Sequence, residues 1–152
     1  MRRLNKMNIT YAPIKKEDID TIYAFCKKLI DDYEDLDSID YHKVLAWVKR
    51  KIEKRADEYK RVLMGGDLAG FYRFHEEDGE MEIDDLYILP EYRGMGIGTK
   101  VLEKCLYDTD KTVFFYVFTK NERAIKLYKS LGFTERKKVG DTRIIMAQSG
   151  RG

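Results

Sequence analysis

The spacing of apolar positions changes several times along the chain, and each change marks a new element. Ile9 to Ile14 reads as a short strand stopped near Pro13. From Lys16 to Tyr33 the apolar residues fall at Ile19, Ile22, Tyr23, Cys26, Leu29, Ile30 and Tyr33, which is the spacing of one helix face. A second helical stripe, Val44, Leu45, Trp47, Val48 and Ile52, runs through Tyr41 to Ala56. Its outer face is basic and reads as solvated, with i,i+4 pairs to Glu53 and Asp57.

The period then shortens to that of strands. Arg61–Met64, Leu68–Phe74 and Glu80–Ile88 are separated by turns at Gly65-Gly66-Asp67 and Glu76–Gly79, which predicts an antiparallel meander. A glycine-rich turn leads into a helix over Gly98–Tyr107, with Val101, Leu102, Cys105 and Leu106 inward. Thr112–Phe118 is apolar throughout, as in a strand covered on both faces. A helix over Asn121–Ser130 is closed by Gly132, which suits a left-handed C-terminal cap. Phe133–Val139 and Thr142–Ala147 form a last strand pair, and Gln148–Gly152 is expected to fray. The order β-α-α-β-β-β-α-β-α-β-β predicts an α/β chain with a central mixed sheet flanked by helices. Its strand–helix–strand unit from Glu80 to Phe118 requires a parallel pair and a right-handed crossover. No repeat or linker divides the 152 residues, so 1–152 are expected to form a single domain.

Composition narrows the function classes. With 43% hydrophobic and 37% charged residues, the chain is globular rather than disordered. Its 29 basic and 27 acidic residues nearly cancel, which argues against a nucleic-acid binder. The signs are unevenly spread, however. Asp31–Asp40 holds six acids and no base, and Glu76–Asp85 holds seven acids and no base. Cys26 and Cys105 sit at apolar helix positions, as buried thiols of a reduced protein would. The two cysteines do not have metal-ligand spacing, and no metal is expected. The N-terminus has basic residues but no apolar core of a signal peptide, and no apolar run approaches the ~18 residues of a membrane span. A cytoplasmic protein without a membrane partner is expected. A homodimer is left open.

The candidate chemistry lies in Arg93-Gly94-Met95-Gly96-Ile97-Gly98-Thr99. Alternating glycines at the mouth of a helix expose a row of backbone N–H groups, and the helix dipole favours an anion in front of them. The guest is a phosphate or pyrophosphate. A P-loop needs Gly-Lys-Ser/Thr, and no glycine here is followed by that pair. A dinucleotide loop needs GxGxxG directly after a strand and an acid ~20 residues on, and neither is present.

Two blocks carry a resemblance. Arg93-x-x-Gly96-x-Gly98, between a strand ending Leu-Tyr-Ile and an amphipathic helix, resembles the acyl-CoA pyrophosphate loop of the GNAT superfamily of N-acyltransferases. Asn121-x-x-Ala124-x-x-x-Tyr128-x-x-x-Gly132-Phe133 is similar to that family's second signature. The blocks stand in the family's order, one helix and one strand apart, and the likeness covers about Leu63 to Met146.

The resemblance implies acetyl-CoA as co-substrate and an N-acetyltransferase acting on a primary amine. N–H groups from Gly94 to Thr99 would bind the pyrophosphate beside Arg93. Leu86, Tyr87 and Ile88 would hold the pantetheine arm and offer an oxyanion donor. Asn121 and Ala124 would flank the cofactor, although Asn121 also reads as a plain N-cap. Arg123, Lys126 and Lys129 could meet the 3′-phosphate. Tyr128 matches the family's tyrosine near the sulfur and would be the general acid, since a phenol is protonated at neutral pH.

For the base, Glu82 matches a glutamate used by some lysine acetyltransferases of the family. Asp84 lies one step nearer the thioester. Strand alternation puts Glu82, Asp84, Leu86 and Ile88 on one face and Asp85 on the other. A water chain without a single base, or His75 at the end of the preceding strand, is an alternative. Direct attack in a ternary complex is expected, because no Cys or Ser is placed as a nucleophile. The acidic runs fall where the acceptor would enter, so a cationic amine is the expected partner, unless these loops are only solvated surface. The rival readings are a non-catalytic CoA-binding module and an interaction domain using the basic Lys49–Arg55 helix.

Overall fold

The computed structural model describes residues 8–149. The basic N-terminal residues 1–7 and the end of the tail, 150–152, lie outside the described residues. Seven strands form one sheet: β1 (Ile9–Pro13), β2 (Tyr59–Met64), β3 (Asp67–Glu77), β4 (Glu80–Ile88), β5 (Val113–Phe118), β6 (Thr134–Val139) and β7 (Arg143–Gln148). Four α-helices accompany them: α1 (Asp18–Tyr33), α2 (Tyr41–Lys54), α3 (Ile97–Tyr107) and α4 (Glu122–Ser130). The sheet order is β1-β2-β3-β4-β5-β7-β6. Every neighbouring pair is antiparallel except β4 and β5, which are parallel across the α3 connection.

Adjacent residues of β3 point to opposite layers, because strand side chains alternate. Phe71 packs with Ile22, Cys26 and Ile30 of α1 and Leu45, Val48 and Ile52 of α2. Tyr72 packs with Val101, Leu102 and Cys105 of α3 and with Phe115, Phe133 and Met146. The sheet therefore separates two cores, one under α1 and α2 and one under α3 and α4. Both cysteines are buried and unbonded to each other.

Local signals set several boundaries. Asp40 caps α2 by accepting from the Lys43 amide. Gly132, at φ +94°, closes α4 in a Schellman arrangement: its amide donates to the Lys129 carbonyl and the Phe133 amide to the Tyr128 carbonyl.

Four expectations are corrected. Trp47 does not belong to the buried stripe of α2; it is 57% exposed. Lys51 does not lie on a solvated face. It turns toward the sheet to pair with Asp84 and Asp85 at 3.0 and 3.2 Å, while Lys49 pairs with Asp20 and Arg55 with Glu58. Gln148 does not fray; it ends β7 and donates to the Leu131 carbonyl. The fourth correction concerns β4. Asp85 adopts φ +53°, and the pairing with β3 shifts from Phe71↔Tyr87 to Arg73↔Asp84, so two β4 residues oppose one on β3. This bulge resets the alternation. Leu86 and Ile88 face the α3 core, while Glu82, Asp84, Asp85 and Tyr87 face α1 and α2.

Candidate active site

β4 and β5 pair only at Met81↔Val113 and Glu82↔Phe114. Beyond that point the strands part, and a cavity of about 350 Å³ opens between them. Ile83 to Ile88 form one wall and Phe115 to Phe118 the other, closed by Phe25 and Leu29 of α1 and by Asn121, Ala124 and Tyr128. A second cavity of about 510 Å³ adjoins it. It lies between the N-termini of α3 and α4 and is lined by Gly94, Gly96, Ile97, Gly98, Thr99, Asn121, Arg123, Ala124 and Leu127. Ile88, Arg93, Asn121 and Ala124 border both.

The glycine turn builds the mouth of α3. Gly94 and Gly96 take φ +77° and +85°, a conformation that strains any residue with a Cβ. Gly96 occupies the N-cap position, so no side chain caps the first amides of α3, and no acid stands in its first turn. α2 and α4 are capped by Asp40 and Asn121. The α3 amides are thus left for an external acceptor, and the space in front of Gly94 is open. These residues fit a pyrophosphate. Arg93 turns back: its Nε donates to the Ile88 carbonyl at 2.9 Å and its guanidinium lies 5.6 Å from the Tyr87 ring. Asn121 accepts from the Ala124 amide, so the N-cap reading holds while the residue also borders the cavities.

Tyr128 projects from α4 against Phe115, ring centroids 4.0 Å apart, and lines the first cavity. Burial pushes its phenol up to about 12, so it carries its proton at neutral pH. The Phe133 bond to the Tyr128 carbonyl fixes the helix end from which the ring projects, which gives the Tyr-x-x-x-Gly-Phe spacing a physical reason.

Glu82 and Asp84 share one face of β4 as alternation requires, but only Asp84 lines the cavity. Glu82 sits at the closed end of the β4–β5 split, beside rather than in the cavity lining. Its Oε1 is 2.9 Å from Nε2 of His75, a buried residue rather than an exposed strand end. Nδ1 of that ring is 3.3 Å from the Glu76 carbonyl, an acceptor only. In a neutral imidazole Nδ1 then holds the proton, and Nε2 accepts from a protonated Glu82. Burial, reinforced by the Asp84 charge, pushes the Glu82 carboxyl up to about 7. Burial and Arg73 push the His75 imidazole down.

Asp84 and Asp85 do line the cavity. Burial pushes the Asp84 carboxyl up, but the Lys51 ammonium and Arg73 guanidinium outweigh it and hold the group below its ordinary range. Asp85 accepts from Lys51, from the Tyr59 hydroxyl and from the Cys26 thiol. Burial and the neighbouring Asp84 charge push its carboxyl up. Burial pushes both thiols up, Cys105 to about 12 and Cys26 further, so neither is a thiolate near neutral pH.

Much of the acidic charge is already matched. Asp31 pairs with Lys27 and accepts from Tyr41, Asp32 pairs with Lys28, and Asp35 and Asp40 cap helical turns. Glu76 pairs with Lys111 and Glu80 with Arg136.

Sequence reading missed three contributors, Phe25, which stacks on Tyr87 at 4.3 Å, Lys51 and Arg143, and it set Asp85 aside on the opposite face of β4. The signal for Asp85 was the Asp-Asp pair inside a strand, since Asp tolerates the left-handed conformation. Nothing local in the sequence marks the other three.

A strand pair that parts around a cavity, an uncapped helix mouth shaped by glycines and a tyrosine at the split describe a CoA-dependent acyltransferase. The Acetyltransferase (GNAT) family model matches residues 20–133, and the chain belongs to that family. It is an N-acetyltransferase whose co-substrate is acetyl-CoA. An uncharacterized N-acetyltransferase of Archaeoglobus fulgidus is 28% identical over 131 residues, covering 77% of this chain and 89% of that protein. The spermine/spermidine N(1)-acetyltransferase of Bacillus subtilis is 29% identical over 83 residues, 49% of this chain and 55% of that one. The fold matches the PaiA N-acetyltransferase of Thermoplasma acidophilum, solved in complex with coenzyme A, at TM-score 0.68 and 21% identity. That match covers 94% of this chain and 99% of the other. No helix among the described residues is long and apolar enough to cross a membrane.

Proposed function

We propose that the chain acetylates a primary amine, cationic at its reacting end, by direct attack within a ternary complex, as a cytoplasmic enzyme. The observation that carries this reading is the parting of β4 and β5 beyond Glu82 and Phe114, with Tyr128 on one side and Asp84 on the other. The buried, protonated thiols of Cys26 and Cys105 are poor nucleophiles, which favours direct attack, and their free state suits a reducing compartment. The Bacillus subtilis relative, named for spermine and spermidine, lends support to an amine that is charged in solution.

Bound acetyl-CoA supplies a thioester activated for acyl transfer. The amides from Gly94 to Thr99 hold its pyrophosphate in front of α3, and the unpaired edge of β4 from Leu86 to Ile88 aligns the pantetheine arm and offers an N–H to the developing oxyanion. Glu82 accepts the proton of the ammonium through water, because its carboxyl titrates near the working pH and lies behind the cavity wall. Asp84, already an ion-pair partner of Lys51 and Arg73, orients that wall and is the weaker base. The amine nitrogen then forms its bond to the acyl carbon. Tyr128 gives its proton to the sulfur as the carbon–sulfur bond breaks, the second proton lost by the nitrogen passes through water to the Tyr128 phenolate, and the Glu82 proton returns to solvent.

An amine panel with acetyl-CoA, followed by free thiol release, tests the reading. Thiol release by at least one primary amine is expected, together with thermal stabilisation by CoA. Stabilisation without turnover on any amine would favour a CoA-binding module, and neither effect would end the acetyltransferase assignment.

A further inference from the structure

We propose that the acceptor carries an anionic group, a carboxylate or a phosphate, beside its amine, and that Arg143 reads it. The inference deepens the acetyltransferase reading above and rests on it.

The charges around the cavity between β4 and β5 are unevenly paired. Asp84 and Asp85 line it, but Lys51 and Arg73 stand within ion-pair distance of them, so the two acids bring little free negative charge. Arg93 belongs to the cofactor end, where it borders both cavities and holds the Ile88 carbonyl. Arg143 lines only the first cavity. It opens β7 directly opposite Phe118, and its guanidinium carbon lies 5.1 Å from the Tyr116 ring.

Arg136 provides an internal comparison. It lies over Phe114 at 5.8 Å in the same way, yet Glu80 holds it by two hydrogen bonds of 2.8 and 3.0 Å. None of the ion pairs among the described residues involves Arg143. A guanidinium fork on an aromatic platform, half-buried at a cavity wall and without a carboxylate, is built to receive a planar or tetrahedral oxyanion.

The surrounding wall fits a short molecule. Phe25 and Leu29 of α1 face the cavity, and Tyr33 stacks on Phe118 at 5.9 Å beside the Arg143 register position. An acceptor lying over Tyr116 and Phe118 would place its acid on Arg143 and its amine toward Tyr128. A second ammonium in that place would instead meet Arg143 as a like charge. The class favoured is therefore an amino acid-like or amino phosphate acceptor, rather than a polyamine.

The test compares wild type, R143Q and R143K on five acceptor sets: L-amino acids, their amides, phosphoethanolamine, ethanolamine and spermidine, read by thiol release. Acetyl-CoA affinity is measured separately by calorimetry. In wild type, kcat/KM should favour a carboxylate or phosphate acceptor over its neutral counterpart by about tenfold or more. R143Q should erase that advantage while acetyl-CoA affinity and melting temperature hold, and R143K should keep part of it. Which anionic set responds distinguishes carboxylate from phosphate. Equal or better turnover of amides or spermidine by wild type would overturn the proposal. So would an unchanged ratio in R143Q, or acetyl-CoA binding with no turnover of any anionic acceptor. Loss of acetyl-CoA binding in wild type would instead overturn the acetyltransferase reading itself.

Discussion

The Phe133 amide donates to the Tyr128 carbonyl at 3.1 Å, across the left-handed Gly132. The end of α4 and the candidate general acid are therefore one structural unit. Gly132→Ala would place a Cβ 2.9 Å from Gln148 Nε2 and force φ +94° on a residue that resists it. A cost of about 1–2 kcal/mol is expected, with a melting temperature lower by roughly 2–8 °C. Turnover should fall with it as Tyr128 shifts, and scanning calorimetry beside a thiol-release assay checks both.

Tyr128→Phe keeps the ring contacts with Phe115 and Phe133 and removes only the hydroxyl. If the phenol protonates the leaving sulfur, kcat drops by about 10²–10⁴-fold. Acetyl-CoA affinity, read by calorimetry, should stay near the wild-type value. Unchanged kcat would remove Tyr128 from the reaction.

Glu82→Gln tests the base by pH. A base must be unprotonated, so wild-type kcat/KM should rise as pH passes about 7, and the variant should lose that limb. The same carboxyl affects stability with the opposite slope. Its folded value lies above the ordinary 4.5, so its contribution is present below that value and is lost as pH rises through about 7. The wild type should lose up to about 3 kcal/mol relative to Glu82→Gln over that window. Denaturant unfolding at pH 5 and pH 8 measures the difference. His75, shifted downward, loses its own contribution as pH falls, so the comparison must be variant against wild type at each pH.

Lys51→Met leaves Asp84 and Asp85 with one fewer cation in a buried place. Removing one member of such a group typically costs about 3–5 kcal/mol. The loss should shrink at acidic pH, where the carboxylates protonate, and the double variant with Asp85→Asn should recover part of it. Urea unfolding at two pH values distinguishes this from a simple loss of packing.

The boundaries of β4, the turn glycines and the Asn121–Phe133 block were legible because each depends on local chemistry: alternation, positive φ and capping. What was not legible depends on distant partners. Trp47 satisfies the helical spacing of α2 yet is exposed, since spacing places a residue on a helix without saying where its neighbours end. Lys51 reads as one base on a basic helix, and only the sheet brings Asp84 and Asp85 beneath it. Glu82 was found by position, but its pairing with His75 and its place behind the cavity wall come from the β3–β4 register. Arg143 carries no motif; its meaning comes from the strand order that sets β7 beside β5.

The bulge at Asp85 works as a frame shift within a single strand. Without the extra residue, strict alternation would send one of two consecutive carboxylates into the apolar layer beneath α3, among Val101, Leu102 and Ile97. With it, both acids are delivered to the same side, and the next three side chains resume in opposite phase to seat Tyr87 against α1 and Ile88 against α3. One residue's handedness thus lets β4 store charge and line an apolar groove in the space of five positions.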